Sequence, residues 1–282
     1  MKYFKCLIIV FLITLYSCSD NEQIDPQIIE EEEELIDIYE PDNSFKVIGY
    51  LPYYRFSSVA SIDFKNLTYV NIAFGNLNSS GNIEIGDGVL IKNIVDKIKI
   101  DNPTAKVLIS LAGGAISDTQ ISNWVKFLSE NNRKNTIISM VNFVETNNLD
   151  GIDVDIEGSL LPFIGSRYNK FVLDLKEHLH AKGKAITAAL MPISLDPVIS
   201  NNTLKAFDFI NIMAYNASGL WNISNPGPHS SFEFAEESID FWMITNNIPA
   251  HKLVLGMPFY GINFDPDIAA STTYGEIEPG YY

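Results

Sequence analysis

The stretch Asp150-Gly151-Ile152-Asp153-Val154-Asp155-Ile156-Glu157 constrains the fold of this chain more than any other. Along a β-strand successive side chains point to opposite faces, so Asp153, Asp155 and Glu157 share one face and Ile152, Val154 and Ile156 the other. The apolar face asks for a covering layer. The acidic face sets three carboxyls about 7 Å apart, which is costly inside a protein. Mutual repulsion and partial burial should keep at least one of them protonated near neutral pH, the state a general acid needs. If the strand lines a barrel, Glu157 is the last of the row and stands at the C-terminal mouth, where such barrels carry their chemistry. Two other readings apply to the residues alone. Oxygen ligands in a row could hold Mg²⁺ or Ca²⁺. A purely structural role is the third, and unpaired carboxyls on an interior face weigh against it.

The surrounding pattern is of short apolar runs alternating with longer amphipathic stretches. The runs Lys46–Leu51, Thr68–Phe74, Lys106–Leu111, Gly151–Ile156, Ala185–Leu190, Phe209–Ala214 and Lys252–Met257 suit a parallel sheet covered on both sides. Between them, Val89–Ile100 repeats Ile and Val at helical spacing, and Arg167–Ala181 sets Tyr168, Phe171, Val172, Leu175 and Leu179 on one face. Asp118, ahead of Ile121, Trp124, Phe127 and Leu128, marks an N-terminal capping region. Repeated strand–helix units point to a (β/α)₈ TIM barrel within the α/β class. An open doubly wound sheet would want a glycine-rich turn after its first strand, and Gly49-Tyr50-Leu51-Pro52 is no such turn. Only seven strands are legible, so the barrel is expected to be incomplete, with its eighth strand missing and its last strand lacking a neighbour.

The 19 Lys and Arg against 35 acidic residues give a net charge of −16, which argues against nucleic acid as a partner. Residues 1–18 read as an export signal: Lys2 and Lys5, an apolar run Leu7–Tyr16 too short to span a bilayer, then Leu15-Tyr16-Ser17-Cys18. This resembles a bacterial lipoprotein signal, with Cys18 as the lipidated residue; an ordinary signal peptide with an incidental cysteine is the alternative. Residues 19–44 hold 11 acidic residues and no Lys or Arg, the composition of an extended spacer. The catalytic unit is then 45–282. Cys6 and Cys18 are the only cysteines, so that unit has neither disulfide nor thiol chemistry. No cofactor and no metal are implied, because His178, His180, His229 and His251 are scattered and fit surface or packing roles.

The strand Asp150–Glu157 resembles the D-G-x-D-x-D-x-E signature of the family 18 glycoside hydrolases, which act on chitin and related N-acetylglucosamine polymers. Other segments resemble the family in order. Ser110-Leu111-Ala112-Gly113-Gly114 is similar to the third-strand S-x-G-G motif, with one extra residue before the glycines. Met213-Ala214-Tyr215-Asn216 is similar to the M-x-Y-D motif, with Asn216 in place of Asp, and Leu255–Gly261 resembles the seventh-strand region. The resemblance implies a retaining mechanism in which the substrate's acetamido oxygen is the nucleophile. It implies Glu157 as acid and then base, Asp155 orienting the acetamido N–H, Asp153 sharing a proton with Asp155, and Tyr215 hydrogen-bonding the acetamido carbonyl. Tyr50, Phe74, Gly113, Gly114, Met213, Asn216, Trp221 and Tyr260 are the substrate-binding candidates, and Tyr53 is a further aromatic near a strand end. Gly158 stands where many relatives carry Tyr, and Ile156 where many carry Trp.

The resemblance also implies an eighth strand with a Trp under the sugar site, and no Trp follows Trp242. The chain is therefore read as a C-terminally truncated member, expected to fold poorly alone. A cooperative high-temperature unfolding transition from a soluble monomer would refute that. The expected partners are chitin or another N-acetylglucosamine glycan, and a membrane reached through the lipid anchor, on the bacterial outer membrane or cell surface. An endo-β-N-acetylglucosaminidase acting on N-glycan cores and a non-catalytic glycan-binding lipoprotein are the competing functions.

Overall fold

The computed structural model describes residues 35–86, 90–219, 226–262 and 274–275. Seven strands run parallel in chain order: β1 (Ile48–Pro52), β2 (Tyr69–Leu77), β3 (Lys106–Ala112), β4 (Gly151–Asp155), β5 (Ala185–Leu190), β6 (Phe209–Ile212) and β7 (Leu253–Leu255). They curl into an incomplete TIM barrel, in which β1 pairs only with β2 and β7 only with β6 among the described residues. Five strands are buried along most of their length. The two edge strands are not: all of β7 is half-buried, and Tyr50 of β1 is 40% exposed. That is the pattern of edges lacking a neighbour.

The covering layer comes from helices α1 (Ile91–Asp101), α2 (Asp118–Phe127), α3 (Glu130–Thr146), α4 (Leu160–Ile164), α5 (Arg167–His180), α6 (Asn201–Ala206) and α7 (Phe232–Asp240). In α5 the buried residues include all five that the periodicity predicts. The start of α2 differs from expectation. Ser117 is the cap: its hydroxyl accepts from the Gln120 N–H and the Gln120 side chain returns to the Ser117 N–H, leaving Asp118 as the first helical residue. Further along α2, the Trp124 indole donates to Asn76 of β2, whose amide donates to the Ala112 carbonyl at the tip of β3. One helix thereby anchors two strand ends at the mouth.

Two apolar clusters hold the sheet. The larger packs the outer strand faces against the helices; the smaller fills the barrel near its N-terminal end with Tyr69, Leu108 and Phe209. Pairing explains what lies above them. Ser110 is level with Asp153 and Ala112 with Asp155 across β3–β4, while Thr187 is level with Asp153 across β4–β5. The inward-facing set thus changes from apolar at the bottom to polar midway. One step higher, Ala112 is level with Asp155 and offers it only a methyl group.

The compact unit begins at Leu35, ahead of the Phe45 expected from composition. Residues 35–44 carry the acidity of a spacer, yet they dock under the barrel. The Ile38 N–H donates to the His180 carbonyl, the Tyr39 ring stacks on the His180 ring at 4.4 Å, and the Tyr69 hydroxyl donates to Asp42 at 2.9 Å. Ile38, Tyr39, Asp37 and Asp42 carry specific contacts that an average over the segment's charge conceals. Residues 1–34, with Cys18, lie outside the described residues.

Candidate active site

Asp153 is fully buried midway up the barrel, and four side chains from four other strands aim hydrogens at its two oxygens. Ser110 donates at 2.7 Å and Tyr50 at 2.9 Å to Oδ2; Thr187 donates at 2.5 Å and Asn211 at 3.3 Å to Oδ1. Asn211 also donates to the Tyr50 hydroxyl at 3.1 Å. A ring of donors is an environment for a carboxylate, whereas a hard cation needs further oxygen acceptors. Burial nonetheless holds the Asp153 carboxyl above the usual range, against the pull of the four hydrogen bonds. These contacts occupy Asp153 with strand residues.

Asp155, one pleat higher, is 5% exposed and its Oδ1 has no hydrogen-bond partner. Burial pushes its carboxyl well above the ordinary value, and the charges of Glu157 and Asp153 push the same way. Glu157 is half-buried past the end of β4, and burial raises it too. The row therefore climbs from a saturated carboxyl to an unpartnered one to one reaching solvent. A raised carboxyl that reaches solvent is the kind of group that can serve as a general acid.

The glycines of the third strand make room for this row. Gly113 has φ +76°, and a Cβ there would lie 2.6 Å from the Phe74 ring; a Cβ on Gly114 would lie 2.7 Å from Glu157 Oε1. Glu157 occupies its position because Gly114 has no side chain. Beside Glu157, a pocket of about 220 Å³ is lined by Ile156, Gly158, Leu161, Met191 and Leu195 among others. Gly158 has φ +55°, and a Cβ added there meets nothing within 4 Å.

The opposite wall comes from β6 and β7. After Ile212 the backbone makes two consecutive tight bonds, Ala214 N–H to the Ile212 carbonyl at 2.9 Å and Tyr215 N–H to the Met213 carbonyl at 2.7 Å. These end β6 before the expected Ala214. Burial raises the Tyr215 phenol, and the charges of Asp155, Tyr260, Glu157 and Asp153 push the same way. A Cβ on Gly256 would lie 2.5 Å from the Ile212 carbonyl, so β7 meets β6 closely only with glycine there. Tyr260 donates its hydroxyl to Asn216 Oδ1 at 3.0 Å and packs edge-on against Tyr215.

Of the residues read from the sequence, Asp153, Asp155, Glu157, Tyr215, Tyr50, Phe74, Gly113, Gly114, Met213, Asn216 and Tyr260 gather at or beneath this end of the sheet. Trp221 lies outside the described residues. Tyr50 was expected to stack on sugar, and its hydroxyl is committed to Asp153. Thr187, Asn211 and His229 were missed as site residues. Thr187 and Asn211 had a signal: each is a lone polar residue inside an otherwise apolar strand.

Comparison with known proteins agrees with this arrangement. The model of the glycosyl hydrolases family 18 matches residues 46–277. The crystal structure of the GH18 chitinase ChiB from the chitin utilization locus of Flavobacterium johnsoniae is 40% identical, with a TM-score of 0.75 covering 81% of this chain and 72% of that one. A secreted chitinase of Penicillium expansum is 28% identical over 252 residues, 78% of this chain and 16% of the relative. Chitotriosidase-1 of Mus musculus is 26% identical over 248 residues, 76% of this chain and 52% of the relative. The chain spans about half the length of these curated relatives or less. With the matched region running from β1 past β7, this chain belongs to the glycosyl hydrolases family 18.

Proposed function

We propose that this protein hydrolyses β-1,4-linked N-acetylglucosamine polymers, chitin or its oligosaccharides, with retention at the anomeric carbon. The observation that carries the reading is the carboxyl row on one strand face, whose outermost member Glu157 reaches solvent at the mouth while burial shifts its carboxyl upward. In the first step Glu157 gives its proton to the glycosidic oxygen as that bond to the anomeric carbon breaks. The acetamido carbonyl oxygen of the same sugar closes on the carbon from the other face, forming an oxazolinium ion. Asp155 holds the acetamido N–H and offsets its positive charge, and Tyr215 donates to the acetamido carbonyl. In the second step Glu157 takes a proton from water as that water opens the oxazolinium ring. An internal nucleophile needs no second carboxylate at the anomeric carbon and carries a large entropic advantage. Asp153 lies beneath, pinned by four donors, and shares a proton with Asp155, whose carboxyl is raised first by burial and then by the charges of Glu157 and Asp153.

The leader and Cys18 support export with a lipid anchor. Incorporation of labelled palmitate that Cys18→Ala abolishes is the expected result, and labelling that survives the substitution rejects the anchor. For the activity, the full chain is assayed on a fluorogenic chitobioside and on a high-mannose glycoprotein, beside Glu157→Gln. Fluorophore release that the variant abolishes supports the chitinase reading. Cleavage of the glycoprotein alone moves it to an endo-β-N-acetylglucosaminidase. No turnover from folded protein leaves a glycan-binding lipoprotein.

A further inference from the structure

The segment before α7 meets the Tyr215 turn at several points. The His229 carbonyl accepts from the Ala217 N–H at 2.9 Å, Ser230 Oγ donates to the Ala214 carbonyl at 2.8 Å, and the Asn216 N–H donates to His229 Nδ1 at 3.3 Å. With Nδ1 accepting, the ring proton is on Nε2, and Nε2 lies 3.1 Å from the Tyr260 carbonyl, which accepts it. The His229 ring also stacks on the Tyr260 ring, with centroids 5.3 Å apart and planes 28° apart. One imidazole thus joins the tip of β6 to the segment after β7, and Tyr260 returns the link through its hydroxyl to Asn216. The turn needs such a tie. Asn216 is held at φ +61°, in the left-handed region that non-glycine residues adopt at a cost, and Asn is among those that tolerate it best. Tyr215, next to it, packs edge-on against Tyr260, and its phenol lies within reach of the charges of Asp155 and Glu157.

We propose that His229, as its Nε2–H tautomer, is a positioning residue that clamps the Tyr215–Asn216 turn to the Tyr260 segment and sets the Tyr215 phenol for the acetamido carbonyl. The proposal rests on the hydrolase reading, since it assigns Tyr215 a partner in that reaction. His229 touches no reacting atom; it acts through the two residues it joins.

Three substitutions separate its contacts. His229→Phe keeps a ring to stack on Tyr260 and removes both hydrogen bonds. His229→Asn can keep an acceptor near Nδ1, and His229→Gln a donor near Nε2. On the fluorogenic chitobioside, well below the melting temperature, the Phe variant is expected to lose about tenfold or more in kcat, with KM within about twofold. The Asn variant should recover more of that kcat than the Gln variant, because the Asn216 N–H bond is the one adjoining Tyr215. A purely structural histidine would lower the melting temperature without this order of rescue. A Phe variant with kcat within twofold of the parent, or a Gln variant that outperforms Asn, overturns the proposal. Nitrogen-15 spectra of the labelled ring test the clamp apart from turnover: the Nε2–H tautomer is expected, and an Nδ1–H ring overturns it. A parent chain that turns over nothing while showing the Nε2–H ring refutes the hydrolase reading, and the positioning role with it, but leaves the clamp's geometry standing.

Discussion

Asp150 and Asp155 belong to one strand segment and meet opposite surroundings. Asp150, at the bottom, accepts from Lys99 at 2.6 Å and from the Val107 N–H at 2.8 Å, with Lys106 a further 3.8 Å away. Asp208, below β6, is treated alike: it accepts from the Ile186 N–H at 2.8 Å and faces His180 at 3.2 Å. From midway up to the mouth, no salt bridge reaches Asp153, Asp155 or Glu157 among the described residues, and burial works against their ionisation. The same functional group therefore sews neighbouring strands together at one end and is left without a cationic partner toward the other. Barrel folds divide stability and chemistry between their two ends in this way, and here the division runs within a single eight-residue motif.

The largest test of that division is Glu157→Gln, which should lower kcat by about 10²–10⁴-fold, the range for loss of a general acid–base. Its melting temperature should stay near the parent's, and a large drop instead would mean that Glu157 is structural. Next comes Asp150→Ala. Losing charge-assisted hydrogen bonds that tie β3 to β4 should cost about 2 kcal/mol, or roughly 4–8 °C in Tm. Its kcat at low temperature should be unchanged, and the comparison breaks if activity falls while Tm holds.

Asp155→Asn should move stability the other way. A carboxyl raised above its ordinary 3.8 binds its proton more tightly in the folded chain, so its contribution is intact at low pH and is lost as pH rises above that value. The variant escapes the loss, so its Tm at pH 7 should exceed the parent's by roughly 2–4 °C, the equivalent of about 1 kcal/mol. The gain should shrink toward zero as pH falls toward 3.8, while activity is lost at every pH. A variant less stable than its parent at pH 7 would show that Asp155 is held by partners after all. The smallest effect belongs to Asp37→Asn. Its carboxyl is held below the ordinary 3.8, first by the His180 hydrogen bond, so its stabilisation is present above that pH and disappears as pH falls below it. Because its side chain is 56% exposed, the Tm change at pH 7 should be about 1 °C or less.

Much of this arrangement was legible from residue order. Alternation along Asp150–Glu157 specified which carboxyls share a face, because a strand has only two faces. Apolar runs located all seven strands, and helical spacing identified the buried face of α5. What escaped were contacts across long sequence separations. Tyr50 reads as an aromatic ready for a sugar; only when β1 and β4 face each other across the barrel does its hydroxyl become a donor to Asp153. His229 reads as a scattered histidine, and its role depends on β6 and β7 being adjacent.

The sequence by itself determined the strand–helix alternation, the single acidic strand face and the position of Glu157 at its end, because these follow from the local geometry of the chain. The tertiary structure decided which carboxyls are satisfied and which are not. Whether a buried group is stabilised depends on donors that five strands bring together, and their distances are set by register and curl. It also decided that residues 35–44, acidic enough to read as solvated, dock beneath the barrel. A few placed hydrogen bonds and one stacked ring outweighed their average charge.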